Sequence, residues 1–264
     1  MSWSLVARKD VGDSIRERQL HVLLALFGGL GAVLAWMHAA QARAGFAEPI
    51  ALVEVFYLIS IVVVPATALM LAHEAIVRPR VEGEYALMLG LPHSRLDLVA
   101  GTYVGRVTTL AFSLVVGVLV ATVVTPLRGA SVPWIELGGF LLASVALGVA
   151  YVAIGLALSA SVRSTTWAAV GAFGTFLLFI FLWRFVPGGL AYLLNGLEAP
   201  AREPGWVPYV STLSPSVAFE LLTRTWVLGE DGGEVPPGFA LAVLAAWSVL
   251  APAVGYLRFA RSDL

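Results

Sequence analysis

Apolar residues run along this chain in long unbroken blocks. They show neither the alternation of a half-buried strand nor the single stripe of a water-facing helix. Six blocks approach or exceed the roughly 20 residues a helix needs to cross a hydrocarbon core: Leu20–His38, Ile50–Ala72, Leu98–Val124, Ile135–Ser159, Trp167–Val186 and Phe239–Leu257. Pro65 interrupts the second, which a membrane helix tolerates when neighbours satisfy the freed carbonyl. No fixed-period repeat or low-complexity tract appears. The pattern predicts an all-α polytopic membrane protein with six transmembrane helices in a single domain over 1–264.

Four segments lie outside the blocks. In Trp3–Gln19, the residues Trp3, Val6, Ala7, Val11 and Ile15 share one helical face. Arg8, Lys9, Asp13, Arg16 and Glu17 mostly take the other. This predicts an amphipathic helix in the membrane interface with Trp3 as anchor, although Gly12 weakens it. The second segment, 73–97, links spans two and three. Pro79 marks a break, and Tyr85–Leu91 is almost wholly apolar. Gly90 and Pro92 are stop signals, and Ser94 with Asp97 fits a capping box opening the next helix. So apolar a run in a connection must pack on the protein's own helices, the bilayer or a partner. The third is the turn Ala160–Thr166, with Arg163 at its centre. The fourth, Pro187–Gly238, is the one long loop. Ser214 suits an N-cap and Pro215 a first helical position, predicting a short helix to near Val227. It is too short to span, so it lies in the interface or dips in as a re-entrant element shielded by protein.

Composition agrees: 59% of the 264 residues are hydrophobic and 12% charged, where a soluble domain has about a quarter charged. A net charge of −1 supplies no basic field to hold nucleic acid. With no cysteine there are no disulfides, thiolate metal sites or cysteine nucleophiles. The single lysine, Lys9, follows no glycine run, so the chain carries no phosphate-binding P-loop. Of the 16 Lys and Arg residues, Arg43, Arg128, Arg184, Arg202 and Arg224 fall on one set of connections and the rest on the other. The positive-inside rule then puts both termini in the cytoplasm of a multi-pass protein of the cell membrane. Ala40-Gln41-Ala42 resembles a cleavage site, but the long acid-containing leader and long apolar stretch predict an uncleaved signal anchor.

Candidate chemistry is sparse. His21, His38, His73 and His93 lie near span boundaries, with no pair at metal-ligand spacing and no Gly-x-Ser-x-Gly elbow. Glu54 and Glu136 lie near the outer ends of spans two and four, and Arg184 near that of span five. Glu54 is the candidate membrane-embedded acid, the residue an ion-coupled secondary carrier or channel would use. The pairs Ser144/Gly148, Gly155/Ser159 and Gly171/Thr175 allow close helix approach, within the chain or between two copies.

The 73–97 connection resembles the permease subunit of type 2 ABC transporters, an exporter-like class. Members show two acids, Gly-Thr, a leucine-rich stretch, Leu-Pro, one residue, Ser-Arg, then an acid and Gly-Lys in the next helix. Here the run is Val81-Glu82-Gly83-Glu84, then Leu87-Met88-Leu89-Gly90-Leu91-Pro92-His93-Ser94-Arg95, Asp97 and Gly101-Thr102. Val81 replaces the first acid, Glu84 the threonine and Thr102 the lysine. The turn at Ser159–Ser164 also resembles the family. Leu213–Pro215 is similar to the permeases that serve nitrous-oxide-reductase maturation.

The resemblance implies a transmembrane permease subunit that moves a substrate while a separate ATPase subunit supplies the power. It implies that this chain is not an enzyme and holds no cofactor, ATP and Mg being bound by the partner ATPase. It also implies a homodimer or a paired permease. Glu82–Leu91 would be the coupling helix docked in a groove on the ATPase. Glu82, Gly83, Tyr85, Met88, Leu89, Pro92, Ser94, Arg95 and Arg163 would be the ATPase-coupling residues. Transport would then proceed by rigid-body shifts of the spans between inward- and outward-facing states.

Overall fold

A computed structural model describes residues 3–83, 94–200 and 202–261. Its α-helices are α1 (Trp3–Arg16), α2 (Gln19–Arg43), α3 (Ala51–Ala72), α4 (Val77–Val81), α5 (Arg95–Leu127) and α6 (Trp134–Ser161). They continue as α7 (Thr165–Leu177), α8 (Val186–Leu194), α9 (Val207–Thr212), α10 (Pro215–Leu222) and α11 (Pro237–Ala260). Among the described residues, six stretches are long and apolar enough to cross a membrane: Gln19–Arg43, Ala51–Val81, Arg95–Leu127, Trp134–Ser161, Thr165–Leu194 and Pro237–Ala260. Each overlaps one of the six predicted blocks. An even number of crossings leaves both chain ends on one side, the terminal face; the other is the distal face.

The fifth span departs most from expectation. α7 continues through a π-helical turn, Leu178–Leu182, and a 3-10 turn, Trp183–Phe185, into α8. Pro187 explains the 3-10 turn. It has no N–H for the Trp183 carbonyl four residues back, and its ring crowds that carbonyl. The helix therefore changes winding there instead of stopping, and it carries the chain to Leu194, well into what reads as loop from Pro187 onward.

Helices in lipid gain little from burying apolar surface, because the tails are equally apolar; close packing must hold them. Glycines provide it at each main crossing. A β-carbon on Gly31 of α2 would overlap the Gly117 carbonyl oxygen of α5, and one on Gly117 would lie 2.8 Å from the Phe27 oxygen. At Gly155 of α6 it would be 2.9 Å from the Ala72 β-carbon of α3, and at Gly148 2.8 Å from Leu110 of α5. At Gly255 of α11 it would be 2.8 Å from the Ala157 α-carbon of α6. Gly171 faces Leu158 of α6. Gly148 and Gly155 of α6 and Gly171 of α7 thus pack within the chain. α6 is the central helix, with Leu147, Ala150, Tyr151, Val152 and Ala153 fully buried.

α1 behaves differently from a helix lying on lipid alone. Val6, Ala7 and Ser14 are buried against the bundle, whereas Trp3 and Ile15 stay exposed. One flank meets α5 and the other is left for the interface. Arg18, in the left-handed region at φ 64°, makes the elbow into α2; a non-glycine residue holds that conformation only under surrounding constraint.

Two substitutions separated by one residue test the packing. Gly29→Ala, which meets nothing within 4 Å, leaves the thermal stability of the detergent-solubilised protein unchanged or slightly raised. Gly31→Ala lowers it by about 2–3 kcal/mol, the scale of an overpacked core. Equal melting temperatures for the two variants would remove the backbone contact from the account.

Candidate functional site

On the terminal face, α1 is seated in a notch of α5 made by Gly101 and Gly105. A β-carbon at Gly101 would be 2.6 Å from the Trp3 carbonyl oxygen, and one at Gly105 2.6 Å from Asp10 Oδ2. The notch brings Asp10 Oδ1 to 3.1 Å from Arg106 Nε, with only 10% and 14% of the two side chains exposed. Arg106 also donates to the Gln19 amide oxygen at 2.7 Å, tying α5 to the start of α2. Burial raises the Asp10 carboxyl from 3.8 to about 6, outweighing the nearby arginine. Beside the pair lies a polar cleft of about 130 Å³ whose walls include Asp13, Glu17, Glu74, Arg78 and Glu82. None of this was legible as a site beforehand. Asp10 and Arg106 are 96 residues apart, and the available signal was a Gly-x-x-x-Gly immediately before an arginine.

The connection between spans two and three begins where α3 ends. The Ile76 and Val77 N–H groups leave the α3 ladder and both donate, at 3.0 Å, to the buried Ser159 hydroxyl of α6. The break therefore lies at 73–76, and helix resumes through Pro79 inside α4. That corrects the expectation of a break at Pro79. Early in a helix the missing proline N–H has no intrahelical partner to lose. Glu74 pairs with Arg78. His73 Nδ1 reaches the Leu69 and Met70 carbonyls, and its Nε2 lies 3.8 Å from Glu74. The two side chains meet, although neighbours on an intact helix would not, because α3 has already stopped.

Glu82 and Gly83 are exposed, with Gly83 at φ 78°, a left-handed bend that glycine adopts freely. Tyr85, Met88, Leu89 and Pro92 lie outside the described residues. Ser94 and Asp97 form the expected capping box: Asp97 N–H donates to Ser94 Oγ at 3.1 Å and Ser94 N–H to the Asp97 carboxylate at 3.0 Å. Arg95 points inward. It donates to the Phe259 and Ala260 carbonyls at 2.9 and 3.0 Å, capping the last turn of α11. Its guanidinium and that of Arg80 both lie over the buried Phe259 ring, at 5.7 and 5.8 Å. Both ends of the connection are thus pinned to one residue of α11. Arg163 is exposed in the turn between α6 and α7.

The distal face carries a second built feature. α9 and α10 enter the bundle, and Ser214, Pro215, Ser216, Ala218, Phe219 and Thr223 are buried. Phe219 packs with Phe140 and Tyr57, at 6.3 and 5.9 Å between ring centres. Tyr151 and Ser216 share a buried hydrogen bond of 2.7 Å. The Trp247 indole donates to the Leu213 carbonyl at 2.9 Å, and Trp183 to that of Ser211 at 3.0 Å. Trp247 sits roughly 15 Å along α11 from its distal end at about 1.5 Å per residue, close to the middle of a bilayer core. The element is re-entrant and sheltered by protein, and it ends at Val227 through the π-helical turn Thr223–Val227. Ser214 occupies the N-cap position ahead of Pro215 but makes no side-chain cap. Its hydroxyl donates to the Phe179 carbonyl at 3.5 Å instead.

Above this element, Glu220 pairs with Arg184 at 3.3 Å and Arg224 at 3.6 Å, and Arg224 with Glu230 at 2.7 Å. Glu54 and Glu136 each stand in the first turn of a distal helix end, α3 and α6, where the helix dipole favours a carboxylate. Glu54 is exposed. Among the described residues no three His, Cys, Asp or Glu side chains gather as a metal site.

The model of a family described as ABC-2 family transporter protein matches residues 4–264. A Pseudomonas aeruginosa protein named "Probable ABC transporter permease protein NosY" is 28% identical over 273 residues, covering 98% of each chain. One of the same name from Stutzerimonas stutzeri is 26% identical over 272 residues, covering 97% of each.

The seat of α1 predicts a pH dependence. Asp10 keeps its proton to about pH 6 when folded and to 3.8 when unfolded, so folding takes up a proton between those values. Its contribution to stability then falls as pH rises from about 4 to 6, by on the order of 2–3 kcal/mol, and is flat above. Denaturation across this range shows that slope, and Asp10→Asn flattens it; a slope unchanged in the variant assigns it to other groups.

Proposed function

The chain belongs to the ABC-2 family of transporter proteins and is the transmembrane permease subunit of an ABC transporter; we propose that the connection at 73–97 is where a separate ATPase subunit docks and delivers its stroke. The carrying observation is the attachment of that connection. Both of its ends are fixed on Phe259, by Arg80 on one side and Arg95 on the other. Its apolar middle is a helix-in-groove ligand by composition. Glu82, Gly83, Tyr85, Met88, Leu89 and Pro92 supply the docking surface, and Arg163 adds a further coupling contact. Ser94 and Arg95 serve by fixing where the connection re-enters the bundle. ATP and Mg belong to the partner, in keeping with the lone Lys9 and the missing P-loop. The terminal face is cytoplasmic, in keeping with the arginine bias.

We further propose that two copies of the permease associate through the fifth span. Only 11% of its most apolar window is buried, the lowest figure of the six, and Trp167, Val170 and Phe173 stand exposed along it. Closed two-fold association is the common way for such an exposed face to be covered by a second copy.

Two experiments test these readings. Purified with its ATPase, the permease keeps it through size exclusion, and Tyr85→Asp or Leu89→Asp releases it while the melting temperature holds. Retention by both variants would end the docking assignment. Because the chain has no cysteine, Phe173→Cys is a unique label. It forms a disulfide-linked dimer in native membranes, whereas an uncrosslinked result under oxidation that crosslinks another span would move the interface there.

A further inference from the structure

We propose that the groove between α6 and α11, closed at its deep end by Trp183 and Leu213, holds one acyl chain of a phospholipid from the leaflet on the terminal side, with the lipid phosphate on Arg258. The groove has a volume of about 560 Å³, and its walls include Ala157, Trp183, Leu213, Trp247, Val254 and Arg258. Its polarity is graded along its length. At the deep end both indole N–H groups are already spent on carbonyls of the re-entrant element. Further out, the Ser161 hydroxyl donates to Ala157 at 2.6 Å. Nothing along the groove asks for a polar ligand until its mouth. There stands Arg258, exposed, in the last turn of α11, with no hydrogen bond or ion pair among the described residues. Among them it is also the one charged residue of the lining.

The dimensions select the occupant. From Trp247 to Arg258, α11 advances roughly 16 Å at about 1.5 Å per residue. That is half of a hydrocarbon core of about 30 Å, the depth of a single leaflet. A dry channel one leaflet deep with a cation at its mouth matches an acyl chain beneath a phosphate. A helix of a second copy would span both leaflets and would leave Arg258 facing apolar surface. The deep end is floored by Leu213, so the chain terminus would rest against the tip of the re-entrant element. Such a lipid would couple that tip to the membrane.

The test uses the full-length permease in detergent, titrated with dioleoyl phosphatidylglycerol under native mass spectrometry. Arg258→Gln weakens binding of the first lipid about fivefold, the worth of one basic side chain at an anionic surface. Ala246→Trp, which fills the groove from an exposed position, removes that binding step. Unchanged lipid affinity in both variants would overturn the proposal, with unchanged melting temperatures confirming that both fold. A Val254→Cys variant that crosslinks to a second copy would also overturn it, giving the groove to a protein interface. The proposal takes the permease reading as background but does not depend on docking. A Tyr85→Asp protein that has lost its ATPase still binds the lipid, so failure of one reading is distinguishable from failure of the other.

Discussion

Backbone-to-backbone contact at glycine is the condition on which this bundle rests. Water drives apolar faces together; lipid does not, and what remains is dispersion between surfaces that approach closely. Gly31 against Gly117 joins α2 to α5, Gly155 against Ala72 joins α3 to α6, and Gly255 against Ala157 joins α6 to α11. The same device seats the non-spanning α1 on Gly101 and Gly105. Each contact admits essentially one crossing, since a shift along either helix brings a side chain where none fits. The rigidity of the spans follows from that, and so does the precision with which they hold their polar residues.

The second constraint is that backbone polar groups inside the membrane need partners within the protein. It explains features that look unrelated. Where α3 ends, the Ser159 hydroxyl accepts two N–H groups at once. Around the turn of the re-entrant element, two tryptophan indoles donate to the Ser211 and Leu213 carbonyls, and the buried Tyr151 and Ser216 hydroxyls satisfy each other. The π-helical turns at Leu178–Leu182 and Thr223–Val227 occur on the two elements that meet there. A regular helix would have kept its carbonyls to itself; the Phe179 carbonyl instead receives Ser214. Winding is irregular where one segment must lend its backbone to another.

This division sets what was legible in the sequence. The six spans could be read because hydropathy over 20 residues is a bulk property, insensitive to exact ends. The Ser94–Asp97 box and the Ser214-Pro215 start could be read because a cap is local. Three residues decide the first. The second misleads in detail, because a buried Ser214 finds a tertiary acceptor where a surface serine would cap. Pro79 was misplaced for the converse reason: the α3 break is set by Ser159, 83 residues from Ile76. The Asp10–Arg106 pair, the Glu220 cluster and the inward turn of Arg95 join distant residues whose charges, read singly, appear as solvated faces or topology signals. The coupling assignment of Tyr85, Met88, Leu89 and Pro92 comes from the family resemblance alone, and these four lie outside the described residues.

The two ends of the molecule are joined by the same two helices, α6 and α11. On the terminal face, Arg80 and Arg95 bind the connection to Phe259 of α11, and Ser159 of α6 holds its first turn. On the distal half, the re-entrant element hangs from Tyr151 of α6, Trp247 of α11 and Trp183 of the 3-10 turn in the fifth span. α6 and α11 are themselves locked at Gly255. A load applied to the 73–97 connection would therefore enter α6 and α11 at their terminal ends. With Gly255 packed against the Ala157 backbone, the pair would move as one body and carry the Tyr151 and Trp247 attachment points with it. Packed elements of this kind pass displacement on by tilting or rotating rather than by deforming. α2 and α1, fixed to α5 through separate glycines, have no attachment to the re-entrant element among the hydrogen bonds described. They form the frame against which such a motion would be measured.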